Sequence, residues 1–414
     1  MGLGSILGTG IFVSIGIAAG VVGPSVVLAV ALAAIVAAFN GLSSAQLAAN
    51  HPVSGGTYEY GYRYLHPTLG FTAGWMFLCA KSASAATAAL GFSGYLLAGF
   101  GVEGRLPRIL LAIAIVALLT AVAAGGMQRS NLANAIIVSF TLLSLAVFVL
   151  VGAPIAIENG ASQFLPFFGS DGSSALLRGT ALMFVAYTGY GRIATLGEEI
   201  RNPARNIPRA ILATLIATML LYASVAAVAV GVIGADALFE ATRTAAAPLE
   251  VAAKSFGVPW VSWLVAGGAA AAMAGVLLNL LLGLSRVILA MGRRRDLPNW
   301  LAHVDYRRKS PSRALILTGV LVIGLVLIGS VGITWSFSAF TVLVYYALTN
   351  LSALRLPAKQ RRLPRIIPLL GLSSCLGLAF WVEPVIWIAG LGLIALGLAW
   401  HLLAASRTPR SPRG

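Results

Sequence analysis

Two membrane-length apolar segments of this chain are interrupted by glycines. The first reads Gly4-Ser5-Ile6-Leu7-Gly8-Thr9-Gly10-Ile11-Phe12, the second Phe184-Val185-Ala186-Tyr187-Thr188-Gly189-Tyr190-Gly191. Glycine costs about 1 kcal/mol per helix-interior position relative to alanine. Lipid satisfies no freed backbone group, so a helix broken at membrane depth must line a cavity or pack on protein. Such a break exposes N–H groups at one end and C=O groups at the other. The first attract an anion and the second a cation. Thr9, Gly10 and Ile11 would open the outer half of the first segment and present N–H groups. Val185, Ala186 and Thr188 would end the first half of the second and present carbonyls. An α-amino acid suits this pair, its carboxylate at one break and its ammonium at the other. Taken alone, Gly2, Gly4 and Gly8 read equally well as sites of close helix packing. The second break tips the reading towards a binding site, because paired interruptions in two halves point to a transporter site.

The elements that must carry these breaks follow from composition. The 414 residues are 59% hydrophobic and 10% charged, with a mean hydropathy of +0.91. A soluble domain is about 25% charged, so the expected class is an all-α polytopic membrane protein. Apolar runs of the roughly 20 residues a span needs predict about twelve transmembrane helices: 1–20, 25–47, 68–98, 109–127, 131–153, 176–198, 208–233, 259–291, 313–330, 333–354, 365–382 and 385–405. The charge-free run Ala314 to Leu354 divides near Ser330-Val331-Gly332. Spans one and six are the discontinuous ones, five spans apart. That spacing predicts two five-helix repeats of opposite orientation, 1–153 and 176–354, two further helices over 365–405 and a basic, disordered cytoplasmic tail over 406–414. No basic region precedes the first apolar run, so no cleavable signal peptide is read there.

The net charge of +16 sorts by topology. With the odd-numbered gaps on one side, that face receives Arg63, Arg129, Arg201, Arg205, Arg209, the clusters 293–295 and 307–309, Arg313, and the basic residues from Arg355 onward. The opposite face receives only Arg105, Arg108, Arg178, Arg243 and Lys254. Excess lysine and arginine mark the cytoplasmic side, which places both termini in the cytoplasm and removes the case for a nucleic-acid partner. Cys79 and Cys375 sit inside spans as packing residues, and His51, His66, His303 and His401 show no metal spacing. Nothing indicates an enzyme: no nucleophile–base pair, phosphate loop or metal cluster stands out, and no cofactor is expected.

Gly8-Thr9-Gly10-Ile11-Phe12, the loop motif Pro52-Val53-Ser54-Gly55-Gly56-Thr57-Tyr58 and Phe184 to Tyr190 together resemble the amino acid–polyamine–organocation permeases. So do Gly197 to Arg209 after span six and Ser285 to Met291 closing span eight. The nearest likeness is to the bacterial and cationic-amino-acid-transporter-like branch. The resemblance covers nearly the whole chain in order. It implies the inverted-repeat fold and secondary amino acid transport. It also implies substrate contacts at Ile6, Thr9 and Gly10 and at the backbone of Val185, Ala186 and Thr188, with Tyr190 where the family often has an aromatic gate. The family usually carries several more residues before the glycine motif, as the cytoplasmic half of span one, whereas Met1 stands almost at the break. Many proton-coupled members resemble one another in a span-five lysine about two turns after an asparagine. Here Asn134 is followed by Thr141, which suits sodium or a backbone carbonyl better than a proton.

Ionisable residues inside spans are functional candidates by default. Lys81 in span three is a candidate titrating group in place of the missing lysine, and Arg192 follows the span-six break. Snorkelling or a structural pair is the alternative for both. Glu198 and Glu199 read as a gate or loop anchor bonded to Arg201, Arg205 or Arg286. Asn40, Gln46 and Asn279 can bond between helices, and Asn279 is a candidate near the ion or substrate. Tyr345 and Tyr346 can close the cavity. The spans otherwise hold almost no Asp or Glu, so a cationic side chain would lack a counter-ion. The expectation is a multi-pass permease of the cell membrane, inner or plasma. It would move neutral amino acids by alternating access, driven by protons or sodium, with acidic ones second. Its rivals are an exchanger and a non-transporting sensor of the same fold.

Overall fold

The computed structural model describes residues 2–51, 55–126, 131–168, 172–194, 202–305 and 310–407. Several sequence features of interest lie outside these residues: Pro52-Val53-Ser54, Arg129, Gly197, Glu198, Glu199, Arg201, the 307–309 cluster and the tail from 408. Among the described residues the chain is helical without strands, apart from one isolated bridge between Asp305 and Ser310.

Every apolar segment expected as a span is helical. The first is in three pieces, α1 (Gly2–Ile6), α2 (Thr9–Phe12) and α3 (Ser14–Val22). A 3-10 turn at Gly23–Ser25, with Gly23 at φ +63°, hands the chain to α4 (Val26–Asn50). A short helix α5 (Thr57–Tyr64) precedes α6 (Pro67–Gly99), α7 (Arg105–Ala124) and α8 (Asn131–Gln163). The sixth segment is α9 (Gly172–Tyr187), a 3-10 turn Thr188–Tyr190 and α10 (Gly191–Ala194). Then come α11 (Pro203–Ile233), the short α12 (Ala235–Thr244) and α13 (Pro248–Lys254), and α14 (Pro259–Arg293). The chain finishes with α15 (Ser312–Val326), α16 (Val331–Leu354), α17 (Ile366–Ala379) and α18 (Pro384–Arg407). Proline sits in the first turn of α6, α11, α13 and α14, where its missing N–H has no helical partner to lose. Ser330 caps α16 by accepting from the Ile333 N–H at 3.3 Å.

Several boundaries differ from the sequence expectation by four residues or more, those of α7 and α8 among them. Helix α8 runs ten residues beyond 153, carrying Pro154 inside it, so hydropathy alone ended it too early. Helix α7 starts at Arg105 rather than 109. Arg108, expected as a loop cation, is buried there and donates to the Thr244 carbonyl at 2.5 Å, at the C-terminal end of α12. Cations are favoured at such ends.

Among the described residues, seven stretches are long and apolar enough to cross a membrane, counting Thr9–Asn50 as one, and α15 and α17 are shorter apolar helices. Large apolar side chains such as Leu132, Ile136, Leu150, Ile216, Leu220, Leu402 and Leu403 face outward, as lipid permits and water does not. At the centre, α6 packs along both α14 and α16. Small hydroxyls join α6 to α16, Ser84 to Ser338 and Thr87 to Thr334, each at 2.7 Å. Asn350 of α16 donates to Asn40 Oδ1 of α4 at 2.6 Å, where the Cys375 thiol of α17 also points at 3.2 Å. Gln46 Oε1 accepts the N–H groups of Arg362 and Leu363 at 2.8 Å each.

At the end where α14 finishes, Asp296 is buried and gathers three elements. Its Oδ2 accepts from Tyr58 and Tyr62 of α5 at 2.6 Å each. Its Oδ1 lies 3.3 Å from His401 Nδ1, and its carbonyl accepts the Trp400 indole at 2.9 Å. Arg294 pairs with Glu59 and lies over the Tyr62 ring at 4.2 Å. Burial first, and then Asp296, push both tyrosine hydroxyls far above their ordinary range, so they remain donors at any working pH. Removing the carboxylate orphans these donors at about 1–3 kcal/mol each. Asp296→Ala should therefore lower the thermal unfolding midpoint of the detergent-purified protein more than Asp296→Asn, which keeps one acceptor. Equal midpoints for wild type and Asp296→Ala would refute this account of the network.

Candidate functional site

The first interruption leaves Leu7 and Gly8 outside any helix, and α2 begins at Thr9. Its glycines are set by close approach. A Cβ on Gly8 would lie 2.6 Å from Val276 Cγ2 of α14, and one on Gly10 would lie 2.7 Å from Ala186 Cβ and 2.8 Å from Ala186 Cα. From the other side, a Cβ on Gly189 would overlap the Ser5 carbonyl. Each interruption is pressed against the backbone of the other, with a glycine at the contact.

The second interruption is milder than the sequence suggests. The helix tightens into a 3-10 turn over Thr188–Tyr190 and resumes at Gly191, without an extended segment. A 3-10 stretch inside a helix often marks a hinge. Thr188 is the centre of bonding here. Its hydroxyl donates to the Val185 carbonyl at 2.8 Å and accepts from Lys81 Nζ at 2.9 Å, while its carbonyl accepts from the Tyr346 hydroxyl at 3.3 Å.

Side chains from other helices serve the freed carbonyls of the first break. Tyr222 donates to Ile6 O at 2.8 Å, Tyr95 to Phe12 O at 2.6 Å, and Ser14 to Gly10 O. Tyr95 also accepts the Leu249 N–H at 3.1 Å, tying α13 to the break.

Between the interruptions lies a cavity of about 810 Å³, within the usual range for small-molecule sites. The first break contributes Ser5, Ile6, Thr9 and Gly10, and the second Val185, Ala186, Thr188 and Gly189. Aromatic walls come from Phe77, Trp335, Tyr345 and Tyr346, and polar groups from Ser84, Asn134 and Asn279. The cationic groups are Lys81, Arg192, Arg286 and Arg293, and no Asp or Glu is among the described lining residues. The Thr9 hydroxyl is buried beside the cavity with no hydrogen-bond partner among the described residues. Among the described residues no cluster of His, Cys, Asp and Glu could hold a metal ion.

Eleven of the residues singled out from the sequence therefore share one cavity: Ile6, Thr9, Gly10, Lys81, Val185, Ala186, Thr188, Arg192, Asn279, Tyr345 and Tyr346. Three do not reach it. Ile11 is fully buried in the core, and Tyr190 lies behind the wall with its ring 5.6 Å from that of Tyr346. Thr141 donates to the Ile137 carbonyl of its own helix at 2.8 Å. Phe77, Ser84 and Trp335 escaped sequence reasoning. Phe77 and Ser84 are four residues before and three after Lys81 on α6, the spacing of a shared helix face, so the lysine was a usable signal. Tyr95→Phe and Tyr222→Phe each leave a carbonyl of the broken helix unserved, at about 1–3 kcal/mol. Both should lower the unfolding midpoint, whereas Tyr60→Phe, remote from the break, should shift it less.

The chain matches the family model described as amino acid permease over residues 1–409. It is 42% identical over 401 residues to an uncharacterized transporter of Mycobacterium tuberculosis, covering 96% of this chain and 88% of the relative. A branched-chain amino acid permease of Bacillus subtilis is 29% identical, with 97% of this chain and 90% of the relative covered. A mitochondrial cationic amino acid transporter of Arabidopsis thaliana is 28% identical, with coverage of 77% and 54%. With interrupted helices facing one cavity and a family match along its length, the chain belongs to the amino acid permease family of the amino acid–polyamine–organocation superfamily.

Proposed function

We propose that this protein is a secondary active transporter that moves neutral amino acids across a cell membrane by alternating access. The observation that carries the reading is the cavity shared by both helix interruptions, in a chain of the permease family. The substrate carboxylate would lie by Thr9 and Gly10, within reach of the unpartnered Thr9 hydroxyl. The α-amino group would face the Val185 and Ala186 carbonyls, and Trp335, Tyr345 and Tyr346 would enclose the side chain. One relative is named for branched-chain and another for cationic amino acids. The lack of Asp and Glu among the described lining residues favours the first kind, because a cationic side chain would meet no counter-ion there.

The proposal includes an inverted pair of five-helix units over 1–153 and 176–354, two further helices over 365–405, and termini on the cytoplasmic side, on the strength of the basic-residue asymmetry. The coupling ion is a proton or sodium, with Lys81, Thr141, Arg192 and Asn279 as candidate coupling or gating groups. Uptake of labelled leucine into proteoliposomes, with proton and sodium gradients imposed separately, tests the whole reading. Uptake should follow one gradient, and that gradient names the ion. Uptake that ignores both but rises with internal amino acid would assign exchange instead. No flux at all, with saturable binding retained, would leave a sensor. Gly10→Leu should abolish uptake, since its side chain has no room against Ala186. Misplacing a site by about 1 Å costs on the order of 100-fold in rate.

A further inference from the structure

Lys81 stands midway along α6, far from either end of the helix, so its ammonium does not reach a membrane surface by snorkelling along a terminal turn. It lines the cavity and makes one hydrogen bond, to the neutral Thr188 hydroxyl at 2.9 Å. Three cations elsewhere meet carboxylates: Arg178 meets Glu383 at 3.5 Å, Lys254 meets Glu250 at 2.8 Å, and Arg294 meets Glu59. Among the described residues Lys81 has no such partner. Its place is also the one that attracts a cation, beside the carbonyl end of α9 where the 3-10 turn begins. The cavity thus contains a cation of its own.

We propose that Lys81 is a charge filter of the substrate site, the residue that makes the cavity refuse basic amino acids while admitting neutral ones. This deepens the transport reading above and rests on it. A zwitterion brings no net charge to the cavity. Lysine or arginine adds a further positive charge to a cavity whose described lining holds Lys81 and Arg286 and no acid. Two like charges some 7 Å apart at an effective dielectric of about 20 repel enough to cost roughly 10- to 100-fold in affinity. Lysine and arginine are therefore excluded by charge, not by length.

The test is equilibrium binding to the full chain purified in detergent, by competition against labelled leucine, with norleucine and lysine as a neutral–cationic pair and citrulline and arginine as a second. Wild type should prefer the neutral member of each pair by roughly 10- to 100-fold. Lys81→Met should bring each ratio close to unity, and Lys81→Arg should keep it. Wild type that binds lysine as tightly as norleucine overturns the proposal without any variant. So does Lys81→Met that still binds leucine with the preference unchanged. If Lys81→Met does not fold, the wild-type ratios and Lys81→Gln decide. Wild type that binds none of these amino acids defeats the transport reading itself, a result distinct from binding without discrimination.

Discussion

A polypeptide inside lipid must satisfy its own backbone, and in this protein that constraint shapes everything around the cavity. Interrupting a helix frees carbonyls that no lipid can serve. Tyr222 reaches from α11 to Ile6, Tyr95 from α6 to Phe12, Ser14 folds back on Gly10, and Tyr346 reaches from α16 to Thr188. Apart from Ser14, each is a tyrosine delivered by a helix that is itself continuous at that point. The unbroken helices α6, α11 and α16 are the frame that makes the interruptions affordable.

Close approach is the second demand. The two interruptions meet through Gly10 against Ala186 and Gly189 against Ser5, so neither position can carry a side chain without moving the other segment. That contact links the two breaks mechanically: displacement of one is felt by the other without an intervening side chain. The rest of the bundle is held by small hydroxyl pairs and a few amides, such as Ser84 with Ser338 and Asn40 with Asn350. Between helices in lipid these bonds are individually modest, and they are spaced along α6, α4 and α16 rather than gathered at one point. The exception is the Asp296 cluster, which binds α5, the end of α14 and α18 around one buried carboxylate.

Charge is distributed with the same economy. Near helix ends, cations meet carboxylates or terminal carbonyls, as Lys254 meets Glu250 and Arg108 meets Thr244. In the cavity the described lining is cationic and aromatic. Lys81 is held by the Thr188 hydroxyl, which positions the charge without cancelling it. A ligand with a carboxylate complements that lining, and one with an extra cation does not.

The sequence by itself determined the all-helical membrane character, the place of each apolar helix and the location of both interruptions, because hydropathy and glycine placement are local properties. The motifs of Gly8 to Phe12 and Phe184 to Tyr190 sufficed for the family. Tertiary structure decided what local pattern cannot carry. It showed that the second interruption is a 3-10 turn and not an opening, because Tyr346 and Thr188 satisfy it in place. It turned Ile11 and Tyr190 into the core and Thr141 onto its own helix, since which face of a helix meets a cavity depends on its neighbours. It brought Trp335 of α16 to the same wall as Phe77 and Lys81 of α6, two helices far apart in the chain. It set Lys81 against Thr188, a contact across 107 residues that no spacing in the sequence encodes.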